Sequence, residues 1–167
     1  MLKLIFTVLL TASFYSFGFG QDKLTVYIFM AEECPVCNYL GKTLKKLSTQ
    51  YESEVNFVAV FPQRMSNIKS ASIFKQKYDL KQFAIEIDHD RSITDKYNAT
   101  ITPEVVIVNS RDEVLYQGRI NDSYAAPGRI RHGRVTQDLE LALKRTLSHR
   151  AVPKPWPLPI GCYITKI

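Results

Sequence analysis

The chain has 167 residues, of which 46% are apolar and 23% charged, and its formal net charge is +6. This length and apolar content favour one globular domain with a sizeable core, and they exclude a disordered chain and a coiled coil. Seven glycines and eight prolines exclude the collagen-like and low-complexity classes. Three cysteines are too few for a disulfide-stapled miniprotein, and their odd number needs an explanation.

The N-terminus has the pattern of a secretory signal peptide. Lys3 precedes a short apolar run, and the small residues Gly18 and Gly20 stand just before a polar stretch. We predict that residues 1–20 are a signal peptide cleaved after Gly20, which makes the protein periplasmic or extracellular. The alternative is an uncleaved membrane anchor, but the apolar run is shorter than the roughly 20 residues of a spanning helix. We expect no nucleic-acid partner, and membrane contact only through this segment if it is retained.

The rest of the chain alternates between strand and helix patterns. Short apolar, β-branched runs predict strands at 24–30, 55–61, 83–88, 105–108 and 114–116. Helical spacing of apolar residues predicts helices from Pro35 to Tyr51, over 68–78 and over 136–147, the last with Thr136 as N-cap. A capping box that starts at Ser92 predicts a short helix over 92–97. The last two strands form a hairpin, and a turn-rich loop follows at 121–134. This order predicts an α/β fold, a mixed central β-sheet flanked by helices on both faces.

The C-terminal segment differs in composition from this domain. We assign the domain to residues 21–150 and a proline-rich tail, which carries Cys162, to residues 151–167. Proline at every second position from Pro153 to Pro159 forbids a helix and favours an extended, semi-rigid segment.

The sequence Cys34-Pro35-Val36-Cys37 directly follows the first strand and opens the first helix. Two intervening residues in a first helical turn let the two sulfurs approach each other, and the helix N-terminus stabilises a thiolate on the first cysteine. Cys34 is therefore the candidate attacking sulfur and Cys37 the resolving one. The alternatives are a stable structural disulfide and half of a zinc site, although no second Cys or His pair stands at ligand spacing.

Two motifs resemble the hallmarks of the thioredoxin superfamily. Residues 29–37, around the two cysteines, resemble its active-site strand and turn, and residues 102–109 resemble its second hallmark, in which the proline is cis and faces the cysteines. The run from Tyr97 to Asp122 is most similar to exported redoxins of the AhpC/TSA- and TlpA-like group, and residues 161–164 are similar to a short C-terminal motif of some of them.

The resemblance implies a thioredoxin-like fold and a thiol–disulfide oxidoreductase activity, with a lean towards the reduction of protein disulfides. The implied catalytic residues are Cys34, Cys37 and Pro103. The implied substrate-binding residues are Pro35, Val36 and Thr102. The backbone of Thr102 would lie beside Cys34 and pair with an extended substrate. No cofactor is implied. The expected partners are a disulfide-containing protein or a small thiol, together with a membrane electron donor.

Three positions depart from the patterns of related families. Glu33 replaces the tryptophan that precedes the first cysteine in thioredoxins, and Ile28 replaces their buried aspartate. A carboxylate at Glu33 is expected to raise the pKa of Cys34 if it lies close. Ala31 stands where peroxiredoxins have a threonine, which weakens the thiol-peroxidase alternative.

Cys162 and the histidines leave further alternatives open. Cys162 is either a third redox thiol, able to trap or resolve the other two, or a structural or idle cysteine. His89, His132 and His149 invite a Cu(I) metallochaperone or a non-catalytic binding module, but surface histidines are the favoured interpretation, and we predict no metal site. A basic loop with Arg129, Arg131 and Arg134 is interpreted as solvated surface rather than an anion site.

Overall fold

The computed structural model describes residues 23–165. Along the chain the elements are β1 (Leu24–Phe29), α1 (Pro35–Gln50), β2 (Val55–Phe61), α2 (Ile68–Lys77), β3 (Phe83–Ile87), α3 (Ser92–Lys96), β4 (Ile101–Thr102), β5 (Glu104–Val108), β6 (Val114–Gly118), β7 (Tyr124–Ala126), β8 (Arg129–Ile130), α4 (Asp138–Leu147) and β9 (Cys162–Tyr163). Five strands form a central sheet in the order β3-β2-β1-β5-β6, and β4–β9 and β7–β8 form two small pairs.

The central sheet is mixed, as predicted. β1 pairs in parallel with β2, and β2 with β3, whereas β5 is antiparallel to both β1 and β6. The parallel pairs need crossover connections, which α1 and α2 supply. The predicted hairpin of β5 and β6 is confirmed, with an irregularity in its register between Ile107 and Val108.

Alternating side chains of the strands bury two separate clusters, one on each face of the sheet. In β1, Ile28 belongs to the larger cluster and its neighbour Phe29 to the smaller one. Leucines of α1 and α4 cover the larger cluster, namely Leu40, Leu44, Leu47, Leu139 and Leu143. Ile93 of α3 and Ile164 next to β9 cover the smaller cluster. The predicted layer order, with helices on both faces, is therefore confirmed.

Two predicted helix caps are wrong. Ser92 lies inside α3, and the residue before it, Arg91, adopts a left-handed conformation with φ of 61°. The buried carboxyl group of Asp88 instead accepts hydrogen bonds from the backbone N–H groups of Ile93 and Thr94, because the turn brings it over the start of the helix. At α4 the N-cap position is held by Gln137 rather than Thr136.

The turn-rich loop contains regular structure that its composition conceals. β7 and β8 form a short hairpin within 121–134, with an irregular register between Tyr124 and Ala126. Turn residues dominate this segment, so the two- and three-residue strands leave no clear period in the sequence.

The proline-rich tail runs in irregular, non-helical conformation along the free edge of β6, as its composition predicts. The backbone N–H of Arg119 donates to the Pro157 carbonyl oxygen at 3.2 Å. Gly118 permits this approach, because a Cβ there would lie 2.3 Å from the same oxygen. The ring of Trp156 packs against Tyr116, with centroids 5.9 Å apart.

The predicted signal peptide, residues 1–20, lies outside the described residues. Within residues 23–165, no helix combines the length and apolar character needed to cross a bilayer.

Candidate active site

The cysteine motif lies at the junction of β1 and α1. Cys34 occupies the N-cap position of α1 in extended conformation, and Pro35 follows in the first turn, where its missing N–H costs no helical hydrogen bond. The backbone N–H of Cys34 donates to the Ala31 carbonyl oxygen at 3.2 Å, and that of Asn38 donates to the Cys34 carbonyl oxygen at 3.0 Å. These bonds close the turn, so Cys34 and Cys37 lie on the first turn of the helix.

The structure brings three free thiols together. Cys34 is only 2% exposed, and Cys37 is completely buried beneath it. The Sγ of Cys162 lies 2.7 Å from the Sγ of Cys34, although 128 positions separate them in the sequence. Cys162 is partly exposed and approaches from the solvent side. The candidate site is therefore a cluster of three cysteines rather than a pair.

The three thiols have very different acidities. The pKa of Cys34 is lowered to about 5, chiefly because the Cys37 thiol donates a hydrogen bond to it; burial opposes this, and a hydrogen bond from Cys162 assists it. Burial raises the pKa of Cys37 well above its usual value. Burial and the neighbouring Cys34 raise the pKa of Cys162 to about 12. Cys34 is thus the most acidic of the three thiols.

The pKa of Cys34 is lowered although a carboxylate precedes it in the sequence. Glu33 was expected to raise this pKa if it lay close to Cys34, and it is not among the causes of the shift. The side chain of Glu33 is exposed, so water screens its charge. Hydrogen bonds inside the cluster therefore determine the acidity of Cys34.

The second motif faces the cysteines from β4. The Thr102–Pro103 peptide bond is cis, and both residues are buried. The thiol of Cys34 lies 3.1 Å from the Thr102 carbonyl oxygen, which puts the backbone of Thr102 where the resemblance implied. Val36, which is buried, and Pro103 line the same small cavity, while Pro35 is exposed. All six residues expected at the site therefore lie around the Cys34 sulfur or in its turn.

β9 occupies the edge of β4. Thr102 pairs with Cys162, and Ile101 with Tyr163, in an antiparallel arrangement. The backbone N–H of Ile164 donates to the Thr100 carbonyl oxygen at 2.9 Å, and the Thr102 hydroxyl donates to the Cys162 carbonyl oxygen at 3.3 Å. The protein's own C-terminal segment therefore takes the place that the resemblance reserves for an extended substrate.

Glu104 is a site residue that the sequence analysis missed. It is 5% exposed, and its carboxyl group accepts hydrogen bonds from the backbone N–H of Thr100 at 3.1 Å and from the side-chain amide of Gln117 at 2.8 Å. It also lies 3.4 Å from the backbone nitrogen of Ile101. Glu104 therefore holds the loop that presents Thr102 to Cys34. The signal in the sequence was an acidic residue directly after Thr102-Pro103, at the start of an apolar strand.

A cleft of about 310 Å³ opens beside Cys34 and Cys162. The carboxylate of Glu32 in its wall accepts hydrogen bonds from the hydroxyl groups of Ser66 and Ser70, both at 2.6 Å. Met65, which is 86% exposed, lies at the rim. Both Cys34 and Cys162 line this cleft.

The histidines and arginines lie on the surface. His89, His132 and His149 are exposed, and a ring nitrogen of His89 is hydrogen-bonded to the Ser66 carbonyl oxygen at 2.7 Å. Arg131 lies 3.5 Å from the carboxylate of Asp122. In the part of the chain that the structure describes, no group of three or more His, Cys, Asp and Glu side chains is arranged to hold a metal ion.

Comparison with known proteins identifies the fold. No protein-family model and no curated protein matches the chain. Among solved structures, a hypothetical protein from Sinorhizobium meliloti 1021 is 21% identical over 86% of this chain and 80% of its own, with a TM-score of 0.74. An uncharacterized conserved protein from Geobacillus kaustophilus is 25% identical over 87% of this chain and 78% of its own, with a TM-score of 0.72.

A third similar structure has a described class. It is a secreted Mycobacterium tuberculosis disulfide oxidoreductase homologous to E. coli DsbE, 23% identical over 74% of this chain and 81% of its own, with a TM-score of 0.53. The chain therefore has a thioredoxin-like fold, and the predicted resemblance to the thioredoxin superfamily is confirmed at the level of the fold.

Proposed function

We propose that this thioredoxin-like protein is an exported thiol–disulfide oxidoreductase that reduces disulfides of proteins or small thiols. One observation carries the proposal. Cys34, at the start of α1, has its pKa lowered to about 5 by the Cys37 thiol, so it is a thiolate at neutral pH although it is almost completely buried. The thiolate is the nucleophile in disulfide exchange, and the second thiol that stabilises it is also positioned to resolve the product.

The reaction is a pair of exchanges. The Cys34 thiolate attacks one sulfur of the substrate disulfide, breaks its S–S bond and releases the first substrate thiolate, which takes a proton. Cys37 then loses its proton and attacks the Cys34 sulfur, which forms the Cys34–Cys37 disulfide and releases the second substrate thiol. Two electrons pass from the dithiol to the substrate. Once Cys34 is bonded to the substrate, its negative charge no longer raises the pKa of Cys37.

The residues around the sulfur have separate roles in this proposal. Thr102 and Pro103 form the wall beside Cys34, and the backbone of Thr102 is the pairing edge for an extended substrate. Pro35 lies on the exposed side of the turn, where it contacts the substrate, and Val36 is buried and lines the same small cavity as Pro103.

The resemblance favours the reductant direction, and the acidity of Cys34 bears on how strong a reductant we expect. The TlpA-like resemblance indicates a reductant that a membrane donor regenerates. A stabilised thiolate favours the reduced form and raises the potential of the couple, so we expect a milder reductant than thioredoxin, whose potential is about −270 mV. The signal-peptide pattern supports export, as does the similarity to a secreted oxidoreductase.

Turnover of insulin disulfides with a dithiol reductant tests the proposal. We expect Cys34→Ser to abolish turnover, because serine supplies no thiolate, while Tyr163→Ala, a change at a side chain 80% exposed on β9, retains it. Turnover by Cys34→Ser at the wild-type rate would overturn the proposal. The potential of the couple, measured by equilibration with glutathione, then decides the direction.

A further inference from the structure

The third cysteine lies in the position of a substrate cysteine. β9 pairs antiparallel with β4, so Cys162 is directly opposite Thr102, the residue whose carbonyl oxygen lies 3.1 Å from Cys34. The Cys162 sulfur is 2.7 Å from the Cys34 sulfur. An extended polypeptide that docked on this edge with its own cysteine would place a sulfur at the same point. Cys162 therefore combines the strand pairing and the sulfur contact of a bound substrate.

The segment is held there by contacts on both sides of the cysteine. Ile164 is 6% exposed and packs into the smaller core cluster beside Phe29 and Val60. The side-chain amide of Gln63 donates to the Tyr163 carbonyl oxygen at 3.1 Å. Before the cysteine, Gly161 passes so close to β4 that a Cβ would lie 2.0 Å from the Thr102 carbonyl oxygen. The pairing is thus built into the fold.

We propose that β9 is an internal substrate and that Cys162 is a third exchanging thiol, which forms a disulfide with Cys34 during turnover. This inference rests on the proposed oxidoreductase function and adds a step to it. Small disulfides reach Cys34 through the 310 Å³ cleft that Cys34 and Cys162 share, whereas a polypeptide must first displace β9 from the Thr102 edge.

The exchange through Cys162 conserves bonds, protons and electrons. The Cys34 thiolate attacks a disulfide R–S–S–R, which forms a Cys34–S–S–R bond and releases one R–S⁻, which is then protonated. Cys162 loses its proton and attacks the Cys34 sulfur, which breaks the bond to R, forms Cys34–Cys162 and releases the second R–SH. Cys37 then attacks the Cys34 sulfur, so the Cys34–Cys37 disulfide forms and Cys162 regains its thiol. The substrate disulfide is the oxidant throughout.

The test uses oxidised glutathione as the probe and the reduced full chain carrying Cys37→Ser, which removes the competing thiol. We expect a Cys34–Cys162 disulfide with little glutathione bound, and a stable Cys34–glutathione adduct in the matched Cys37→Ser/Cys162→Ser protein. Non-reducing peptide mapping by mass spectrometry should find at least about tenfold less adduct in the first variant, because an internal thiol has a high effective concentration.

The outcomes separate the two proposals. Equal adduct in both variants would overturn the role of Cys162 and leave Cys34 as the nucleophile. Absence of both the Cys34–Cys162 disulfide and the glutathione adduct would overturn the internal-substrate step for small disulfides, and absence of insulin turnover by the wild-type protein would overturn the proposed function itself.

Adding Gly161→Val to Cys37→Ser tests whether the strand pairing is required. The new side chain would collide with Thr102 and displace β9, so we expect the glutathione adduct to return. Adding Tyr163→Ala instead should leave the Cys34–Cys162 disulfide intact, because that side chain is 80% exposed. If Gly161→Val also leaves the disulfide intact, the pairing of β9 with Thr102 is not what delivers Cys162.

Discussion

At the residue scale, the chemistry of the site depends on which cysteine keeps its proton. Cys34 is nearly as buried as Cys37, and burial alone would raise the pKa of both. Burial is the largest cause of the raised pKa values of Cys37 and Cys162, and their contacts with Cys34 add to it. For Cys34 the hydrogen bonds from these two thiols outweigh burial, so its pKa falls while theirs rise.

This arrangement predicts a pH profile. As pH falls through about 5, Cys34 becomes protonated, so its alkylation by iodoacetamide should decline with a midpoint near pH 5. Cys37→Ala removes the largest contribution and should move the midpoint upward, and Cys162→Ala should move it upward by less. The rate of alkylation at Cys34 against pH, followed by mass spectrometry, measures all three midpoints. A larger shift in Cys162→Ala than in Cys37→Ala would contradict this order of contributions.

Ile28 and Glu33 are the two residues beside the site that differ from the thioredoxin pattern. Ile28 is completely buried in the larger core cluster, so the proton acceptor that thioredoxins place there has no counterpart at this position. Glu33 is exposed. The helix start predicts Cys34 as the attacking sulfur, but the sequence could not predict Cys162 as its hydrogen-bond donor, because that contact joins positions 128 residues apart.

At the element scale, the loop before β5 is organised by one carboxyl group. Glu104 binds the backbone of Thr100 and the side chain of Gln117, so it ties the start of β4 to β6. Gln117 also donates to the Tyr97 carbonyl oxygen at 2.9 Å, which fixes its orientation. The position of Thr102 beside Cys34 therefore depends on a residue that does not touch sulfur.

Removing this group should be costly. Glu104→Ala leaves buried donors without an acceptor, so we expect the free energy of unfolding to fall by about 2–4 kcal/mol. Glu104→Gln retains one oxygen and should lose less. Glu113→Ala is the matched control, because Glu113 is exposed and pairs with Arg111 on the hairpin, so its loss should lower the free energy of unfolding much less than the loss of Glu104. Urea unfolding measures these changes. Similar losses for Glu104→Ala and Glu113→Ala would show that Glu104 does not hold the loop.

The elements also show what the sequence could and could not predict. The sheet strands and the helices α1, α2 and α4 follow from their apolar patterns, because each buries an apolar face, whereas α3 was predicted from a capping-box motif. The capping box predicted at Ser92 is wrong, because the N-cap is Arg91 in a left-handed conformation and the carboxyl group of Asp88 accepts the hydrogen bonds of the first helical turn. β4 and β9 have two residues each and no period, so their pairing follows from tertiary structure alone.

At the scale of the whole molecule, the tail links two distant regions of the sheet. After α4 it packs Trp156 on Tyr116, accepts a hydrogen bond from the backbone N–H of Arg119 directly after β6, and places Ile164 in the smaller core cluster. It thereby covers the edge of β6 and carries Cys162 to Cys34. A disulfide between these cysteines closes a loop that includes most of the domain, whereas a Cys34–Cys37 disulfide closes a single turn.

The two disulfides should therefore stabilise the fold unequally. A cross-link lowers the entropy of the unfolded chain by an amount that increases with the logarithm of loop length. The resulting stabilisation is about 5 kcal/mol for the long Cys34–Cys162 loop and about 2 kcal/mol for the four-residue Cys34–Cys37 loop. Oxidation of Cys37→Ser forms the Cys34–Cys162 disulfide, and oxidation of Cys162→Ser forms the Cys34–Cys37 disulfide. We expect the free energy of unfolding to increase on oxidation by about 3 kcal/mol more in the first variant than in the second. Urea unfolding with and without reductant measures both gains, after mass spectrometry has verified each pairing. Equal gains, or a larger gain for the Cys34–Cys37 disulfide, would contradict a loop-closing role for the tail, because only the longer cross-link ties the C-terminal segment to the start of α1.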